Sequence, residues 1–262
     1  MLFSIITVCR NSAETIRETF DSILSQSCED YEYLVIDGDS TDGTKEIVQE
    51  YELKFEGRMR WVSEPDKGIY DAMNKGIRMA RGDYLNFMNA GDSFIGDALE
   101  KTRQWMLAHP QADVYYGITR LVNQKGEESH LRRFHHSLIP QGCMICHQSI
   151  FTKASLFQQI GVYRTQFRIA ADYDFYLRAM LRQASFCPMD VMVVNYREDG
   201  LSGCNLDLVE EETQRIMVEQ GCLKATSLKR TRQLKKLHKA LDTMAFACWH
   251  GIRFMLRPFL KV

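Results

Sequence analysis

The feature that most constrains this chain is an alternation in its first half. Short apolar runs of strand length are each followed by a stretch whose apolar residues recur every three or four positions. Leu2–Val8 reads as a first strand. Ser12–Ser25 reads as its helix, with Ile16, Phe20, Ile23 and Leu24 at helical spacing and Ser12 as the expected N-cap. Tyr33–Asp37 is a second strand, Asp42–Tyr51 the next helix and Arg60–Ser63 a short third strand. Tyr70–Arg81 is a helix that Gly82 ends, and Tyr84–Met88 is a fourth strand that runs into a loop at Asn89. Strand and helix in alternation build an α/β fold, a mainly parallel sheet flanked by helices.

The second half is less regular. A helix is expected near Asp97–Ala108, a strand at Asp113–Ile118, a hairpin over Leu121–Arg133 turning at Gln124, Lys125 and Gly126, a helix at Asp172–Arg182 and a strand at Met189–Tyr196. Beyond Asp207 every pattern is helical. There Leu237, Leu241, Met244, Cys248, Ile252 and Met255 form one apolar stripe that stops before Pro258. The expected organisation is a domain over 1–205, split into halves 1–92 and 93–205, and a helical extension over 206–262.

Composition removes several classes. With 45% hydrophobic residues the chain has ample material for a core, which excludes disorder as the main state. A net charge of −1 gives no overall field toward nucleic acid. That average hides a basic tail, +9 over Lys224–Val262, on a body of −10. No run reaches the roughly 18 apolar residues of a membrane span. The chain enters a strand at once, with no export signal ahead of it, so a cytoplasmic location is expected and the eight cysteines are read as reduced thiols.

In an open parallel sheet, ligands bind beyond the carboxyl ends of the strands. Strand one delivers Thr7, Arg10 and Asn11 there, strand two Asp37, Gly38, Asp39 and Ser40, and strand four Asn89, Ala90, Gly91 and Asp92. Carboxylates would repel a phosphorylated ligand unless they hold a divalent cation or accept hydrogen bonds from a sugar or base. That points to a nucleotide diphosphate bound through metal. The glycine-rich dinucleotide and P-loop patterns are both missing, so hydride transfer and P-loop hydrolysis are poor readings.

Five segments in this order, SIITVCRN from Ser4, VIDGDSTDGT from Val35, SEPDKGIYDAMNKGI from Ser63, FMNAGD from Phe87 and ADYDFYLR from Ala171, carry a resemblance. Over about residues 2 to 200 the chain resembles the family 2 glycosyltransferases, enzymes of the GT-A fold, a Rossmann-like mixed sheet between helices. The SEPDKGIYDAMNKGI form resembles the bacterial branch that builds O-antigen, capsule and colanic-acid-like polysaccharide. The resemblance implies an inverting transfer of a sugar from a nucleotide-diphosphate donor to an acceptor hydroxyl, aided by Mn²⁺ or Mg²⁺. By position it implies Thr7 and Asp37 at the base or ribose with Asp39 beside them, and Lys67 and Asn74 along the nucleotide and diphosphate. It implies Asp92 at the metal and Asp172 as general base. A sugar hydroxyl is a weak nucleophile, so a carboxylate that takes its proton suits the chemistry. The pattern also departs from the family: one carboxylate stands in Asn89–Asp92 where several are common, Ala171 precedes the base, and no later metal-binding His is evident.

Other residues have a duller reading beside the sharper one. Asp37 and Asp39 suit a turn, Asp92 and Asp172 suit helix caps, and Asp174 is read as helix N-terminal charge. Cys143, Cys146 and His147 spell a c-type haem motif, set aside for want of an export signal; a zinc site would need a second ligand pair. His147 and Gln148 are candidates for the acceptor side. The basic tail, with Phe246, Trp249, Phe254 and Phe259, suits an anionic bilayer surface at the inner face of the cell membrane, where a lipid-linked acceptor would lie; packing on the domain or a homodimer is the alternative. A sugar-phosphate nucleotidyltransferase and an inactive nucleotide-sugar-binding module are the competing functions.

Overall fold

A computed structural model describes residues 1–109, 112–123, 128–197, 200 and 204–223. The expected turn at Gln124–Gly126 and the expected tail helix with its apolar stripe lie outside the described residues. The chain divides into two compact units, Met1–Thr213 and Gln214–Val262, and the sheet and every site residue belong to the first.

The first half alternates as its periodicity requires. Strands β1 (Phe3–Cys9), β2 (Tyr31–Asp37), β3 (Met59–Ser63) and β4 (Tyr84–Phe87) alternate with helices α1 (Ile16–Leu24), α2 (Thr44–Lys54) and α3 (Ile69–Met79). The four strands pair in parallel in the order β3-β2-β1-β4. Every residue of β1 and β2 is buried, because helices cover both faces of a parallel sheet. The polar residues among them find partners: Glu32 accepts from Ser4 Oγ at 2.7 Å and from the Arg81 N–H at 2.6 Å, and it pairs with Arg60. α3 lies close on β1 because Gly76 faces Ile6, where a Cβ would stand 2.5 Å from Ile6 Cγ2.

The helix after β1 begins later than Ser12 suggests. α1 starts at Ile16, and the Ser12 carbonyl closes a turn ahead of it by accepting from the Thr15 and Ile16 N–H groups. The Ser12 hydroxyl reaches the Arg10 carbonyl, so it does not cap the helix.

The second half runs β5 (Ser93–Phe94), α4 (Ala98–Ala108), β6 (Val114–Val122), β7 (Glu128–Arg132), β8 (Ile150–Lys153), α5 (Ala154–Ile160), α6 (Ala171–Leu181), β9 (Phe186–Arg197) and α7 (Leu206–Glu219). The sheet continues from β4 through β8, β6, β9 and β5, with β7 paired to β6. β8 joins antiparallel to both β4 and β6, whereas β9 runs parallel to β6. The strand read at Asp113–Ile118 and the hairpin arm read from Leu121 are one strand, β6. Gly117 marks a register shift, and a Cβ there would meet the Val191 carbonyl oxygen at 2.6 Å, so the glycine serves a close approach inside the strand. β8 and α5 are too short to announce themselves by period, and pairing with distant strands defines β8. Among the described residues no helix is long and apolar enough to cross a membrane.

Candidate active site

Beyond the carboxyl ends of β1 and β4 lies a cavity of about 1000 Å³. Six residues singled out from the sequence line it: Arg10, Asn11, Asp92, His147, Gln148 and Asp172. They come from four places in the chain. Parallel pairing of β1 with β4 brings the first two beside the loop that carries Asp92. The insertion of β8 next to β4 then sets the 3₁₀ turn His147–Ser149 against that loop, and Asn86 fastens it by donating to the Gln148 and Ile150 carbonyls at 2.8 and 2.9 Å.

Neighbouring side chains on this turn hold the two carboxylates. Gln148 Nε2 donates to Asp92 Oδ2 at 2.6 Å, and the Arg197 N–H donates to Asp92 Oδ1 at 3.0 Å. Burial nevertheless dominates and pushes the Asp92 carboxyl up to about 6. His147 Nδ1 lies 3.1 Å from Asp172 Oδ2 and Tyr70 Oη 2.8 Å from Oδ1, while the Tyr173 N–H donates to Oδ1 at 2.9 Å. Burial alone would raise the Asp172 carboxyl, but the His147, Tyr70 and Tyr173 donors together bring it below the usual range. Asn89 Nδ2 stands 3.2 Å from His147 Nε2, an arrangement satisfied by a neutral ring with its proton on Nδ1. Asp172 is therefore an anion at neutral pH with its donors already in place.

Five other residues singled out from the sequence do not line the cavity. Thr7 Oγ1 donates to the Met88 carbonyl at 2.7 Å and accepts from Tyr33 at 2.8 Å. Asp37 is fully buried and accepts from the Ser40 N–H at 3.0 Å, Ser63 Oγ at 2.6 Å and the Ser40 hydroxyl, which fixes the turn after β2. Asp39 has φ +60° and pairs with Lys45 at 2.9 Å. The exposed Lys67 gives its backbone N–H to Asp71. Asn74 exchanges hydrogen bonds of 2.9 and 3.0 Å with the Tyr163 backbone. Asp174 stands in the first turn of α6, as read from the sequence, and is fully buried there with Arg164 and Arg178 to neutralise it.

Sequence reasoning passed over Asp66, Tyr70, Arg132 and Arg197, all on the cavity wall. The first two sit inside the SEPDKGIYDAMNKGI segment, which was signal enough. Arg132 and Arg197 had none, since only the register of β7 and β9 on β6 brings them in. The described cysteines are free thiols; in the haem-like motif, Cys146 Sγ donates to Gln148 Oε1 at 3.0 Å and His147 serves Asp172.

The loop after β4 suits a hard divalent cation. It offers the Asp92 carboxylate and the Asn89 amide oxygen, which is buried with no hydrogen-bond partner. Among the described residues no three His, Cys, Asp or Glu side chains converge on a metal position, so an ion here would draw its other oxygen ligands from a bound phosphate and water.

A mixed sheet with a parallel nucleotide-type half and a carboxylate-lined mouth is the GT-A architecture, and solved structures share it. The crystal structure of S. aureus TarS 1–349 in complex with UDP-GlcNAc superposes with TM-score 0.67 at 19% identity, over 83% of this chain and 66% of that one. The mannosyltransferase PcManGT from Pyrobaculum calidifontis, in complex with GDP-Man and Mn²⁺, gives 0.63 at 19% identity over 84% and 63%. The chain thus spans about two thirds of TarS 1–349 and of the PcManGT chain. In sequence it is 35% identical over 216 residues to the PGL/p-HBAD biosynthesis glycosyltransferase of Mycobacterium bovis (strain BCG / Pasteur 1173P2), covering 80% of this chain and 82% of that protein. The profile of glycosyl transferase family 2 matches residues 4–185. The chain belongs to glycosyl transferase family 2 and is an enzyme of that class.

Proposed function

We propose that the enzyme transfers a sugar, with inversion, from a nucleotide-diphosphate donor to a hydroxyl of a lipid-linked glycan during bacterial surface-polysaccharide synthesis, at the inner face of the cell membrane. The observation that carries this reading is the pair of carboxylates held by adjacent residues, Asp172 by His147 and Asp92 by Gln148, on the wall of one cavity. Relatives and fold neighbours whose names concern glycan synthesis and nucleotide sugars support it.

The two carboxyls are tuned for different work. Asp172 is anionic and takes the proton of the acceptor hydroxyl as that oxygen bonds to the anomeric carbon. The bond from that carbon to the diphosphate breaks, and its electron pair leaves with the phosphate oxygen. Asp92 and Asn89 would hold a divalent cation, Mn²⁺ or Mg²⁺, which would supply neutralisation of the departing charge. Arg10, Arg132 and Arg197 line the same cavity and add positive charge for the diphosphate. His147 acts through Asp172 by fixing its orientation and its anionic form.

The test is donor turnover. Nucleotide sugars incubated with the enzyme and Mn²⁺ should be transferred or slowly hydrolysed, and Asp172→Asn should bind the donor yet lose turnover. Wild-type turnover in Asp172→Asn would remove the base assignment.

A further inference from the structure

The end of β2 shows a substitution of one carboxylate for another. Asp37, the acid this strand delivers, has its side chain closed into the turn by Ser40 and Ser63 and is absent from the cavity wall. Its neighbour Gly38 has no side chain, and the space a Cβ would enter is taken by Asp66, whose Oδ2 would stand 2.9 Å from it. Asp66 comes from the loop between β3 and α3 and lines the cavity beside Arg10 and Gly68.

The Asp66 side chain is only 8% exposed and is half engaged. Lys75 Nζ stands 2.6 Å from Oδ1 as an ion-pair partner, without hydrogen-bond alignment to it. Lys75 is itself fastened to the loop by Glu64 at 2.9 Å and by the Pro65 carbonyl at 3.0 Å. Among the described residues no hydrogen-bond donor reaches Oδ2. Oδ2 is thus a charged acceptor open to the cavity, where a bound ligand can donate to it.

We propose that Asp66 reads the base of the donor by accepting its ring N–H. The inference rests on the donor-site reading and names the class of base that site takes. A carboxylate only accepts, so it suits a lactam base, uracil or guanine, whose ring nitrogen carries a proton. Cytosine and adenine present a lone pair at the corresponding ring nitrogen and meet the carboxylate with repulsion. Lys75 holds one oxygen still while the other faces the base, and Gly38 leaves the room that this placement needs.

Titration calorimetry with the full chain and Mn²⁺ tests this, using UDP, GDP, CDP and ADP, with inorganic pyrophosphate as the base-free control. The wild type should bind UDP or GDP about ten- to hundredfold more tightly than CDP and ADP, the worth of one hydrogen bond to a charged group. Asp66→Ala should lose that preference and leave pyrophosphate binding unchanged. Gly38→Ala keeps every charge but pushes the carboxylate aside, and it should lose the preference as well; it decides the matter should Asp66→Ala fail to fold. Variants that keep the wild-type preference, or a wild type that binds all four nucleotides alike, would overturn the role of Asp66. A wild type that binds none of them would overturn the donor site itself.

Discussion

Gln148 Nε2 donates a 2.6 Å hydrogen bond to Asp92 Oδ2, across 56 positions of sequence. The contact stabilises the anion, and removing the donor leaves burial less opposed, so Gln148→Leu should raise the Asp92 carboxyl above its value of about 6. On the proposed function, metal-dependent nucleotide affinity requires that anion. Its rise with pH should therefore shift to higher pH in the variant, read by titrating UDP or GDP with Mn²⁺ from pH 5 to 9. An unshifted profile would dissociate Asp92 from metal binding.

Asp92 also sets a pH dependence of stability. Its folded value, about 6, lies above the ordinary 3.8, so the neutral form favours folding; this contribution is complete below about pH 4 and is lost as pH rises through 6. The loss amounts to roughly 3 kcal/mol. A cation held at Asp92, as proposed, would compensate the anion, so the melting-temperature increase produced by Mn²⁺ with nucleotide should be larger at pH 8 than at pH 5.

Asp172 has the opposite displacement. The His147 hydrogen bond is the largest influence opposing burial, so His147→Leu should raise the Asp172 carboxyl and move the acid limb of kcat to higher pH. Donor KM should stay nearly unchanged. Asp172→Asn, which cannot take the proton, should lose about 10²- to 10⁴-fold in kcat. An acid limb that stays in place in the His147 variant would leave that ring a packing role only.

Glu212 ties α7 to the segment before Asp172. Its carboxylate accepts from the Arg168, Ile169 and Ala170 N–H groups at 2.8, 2.9 and 3.0 Å, just ahead of α6. Glu212→Ala orphans three backbone donors and should cost about 2 to 4 kcal/mol of stability. Amide exchange at 168–170 should quicken, with a fall in kcat; slow exchange unchanged in the variant would deny α7 this bracing role.

The basic tail is testable without reference to its structure. Replacing Lys229, Arg230, Arg232, Lys235, Lys236 and Lys239 by Glu reverses the charge of Lys224–Val262. With each basic residue worth about 1 kcal/mol at an anionic surface, flotation with phosphatidylserine-rich liposomes should be abolished. Equal flotation of both proteins would rule out electrostatic attachment.

Much of the fold is legible in local pattern. Strand runs such as Leu2–Val8 and helix stripes such as Ile16, Phe20 and Ile23 depend on a residue's near neighbours, and the first half of the sheet follows from them. Ser12 misleads because its carbonyl, rather than its hydroxyl, is the group used. β8 is only four residues long and is a strand through its partners alone.

The sequence by itself determined the order of elements in the first half, the loop that carries Asp92, the helix that carries Asp172, and the membership of the chain in a family of sugar-transferring enzymes. Which acids face the cavity was decided by tertiary structure, because an acid's role depends on the donors that surround it. Those donors come from far along the chain: Ser63 closes Asp37 into a turn from 26 positions away, and the Arg197 N–H reaches Asp92 from 105. Only where the strands return to the sheet is it settled that Asp37 is spent and that Asp66 and Asp172 keep a face toward the cavity.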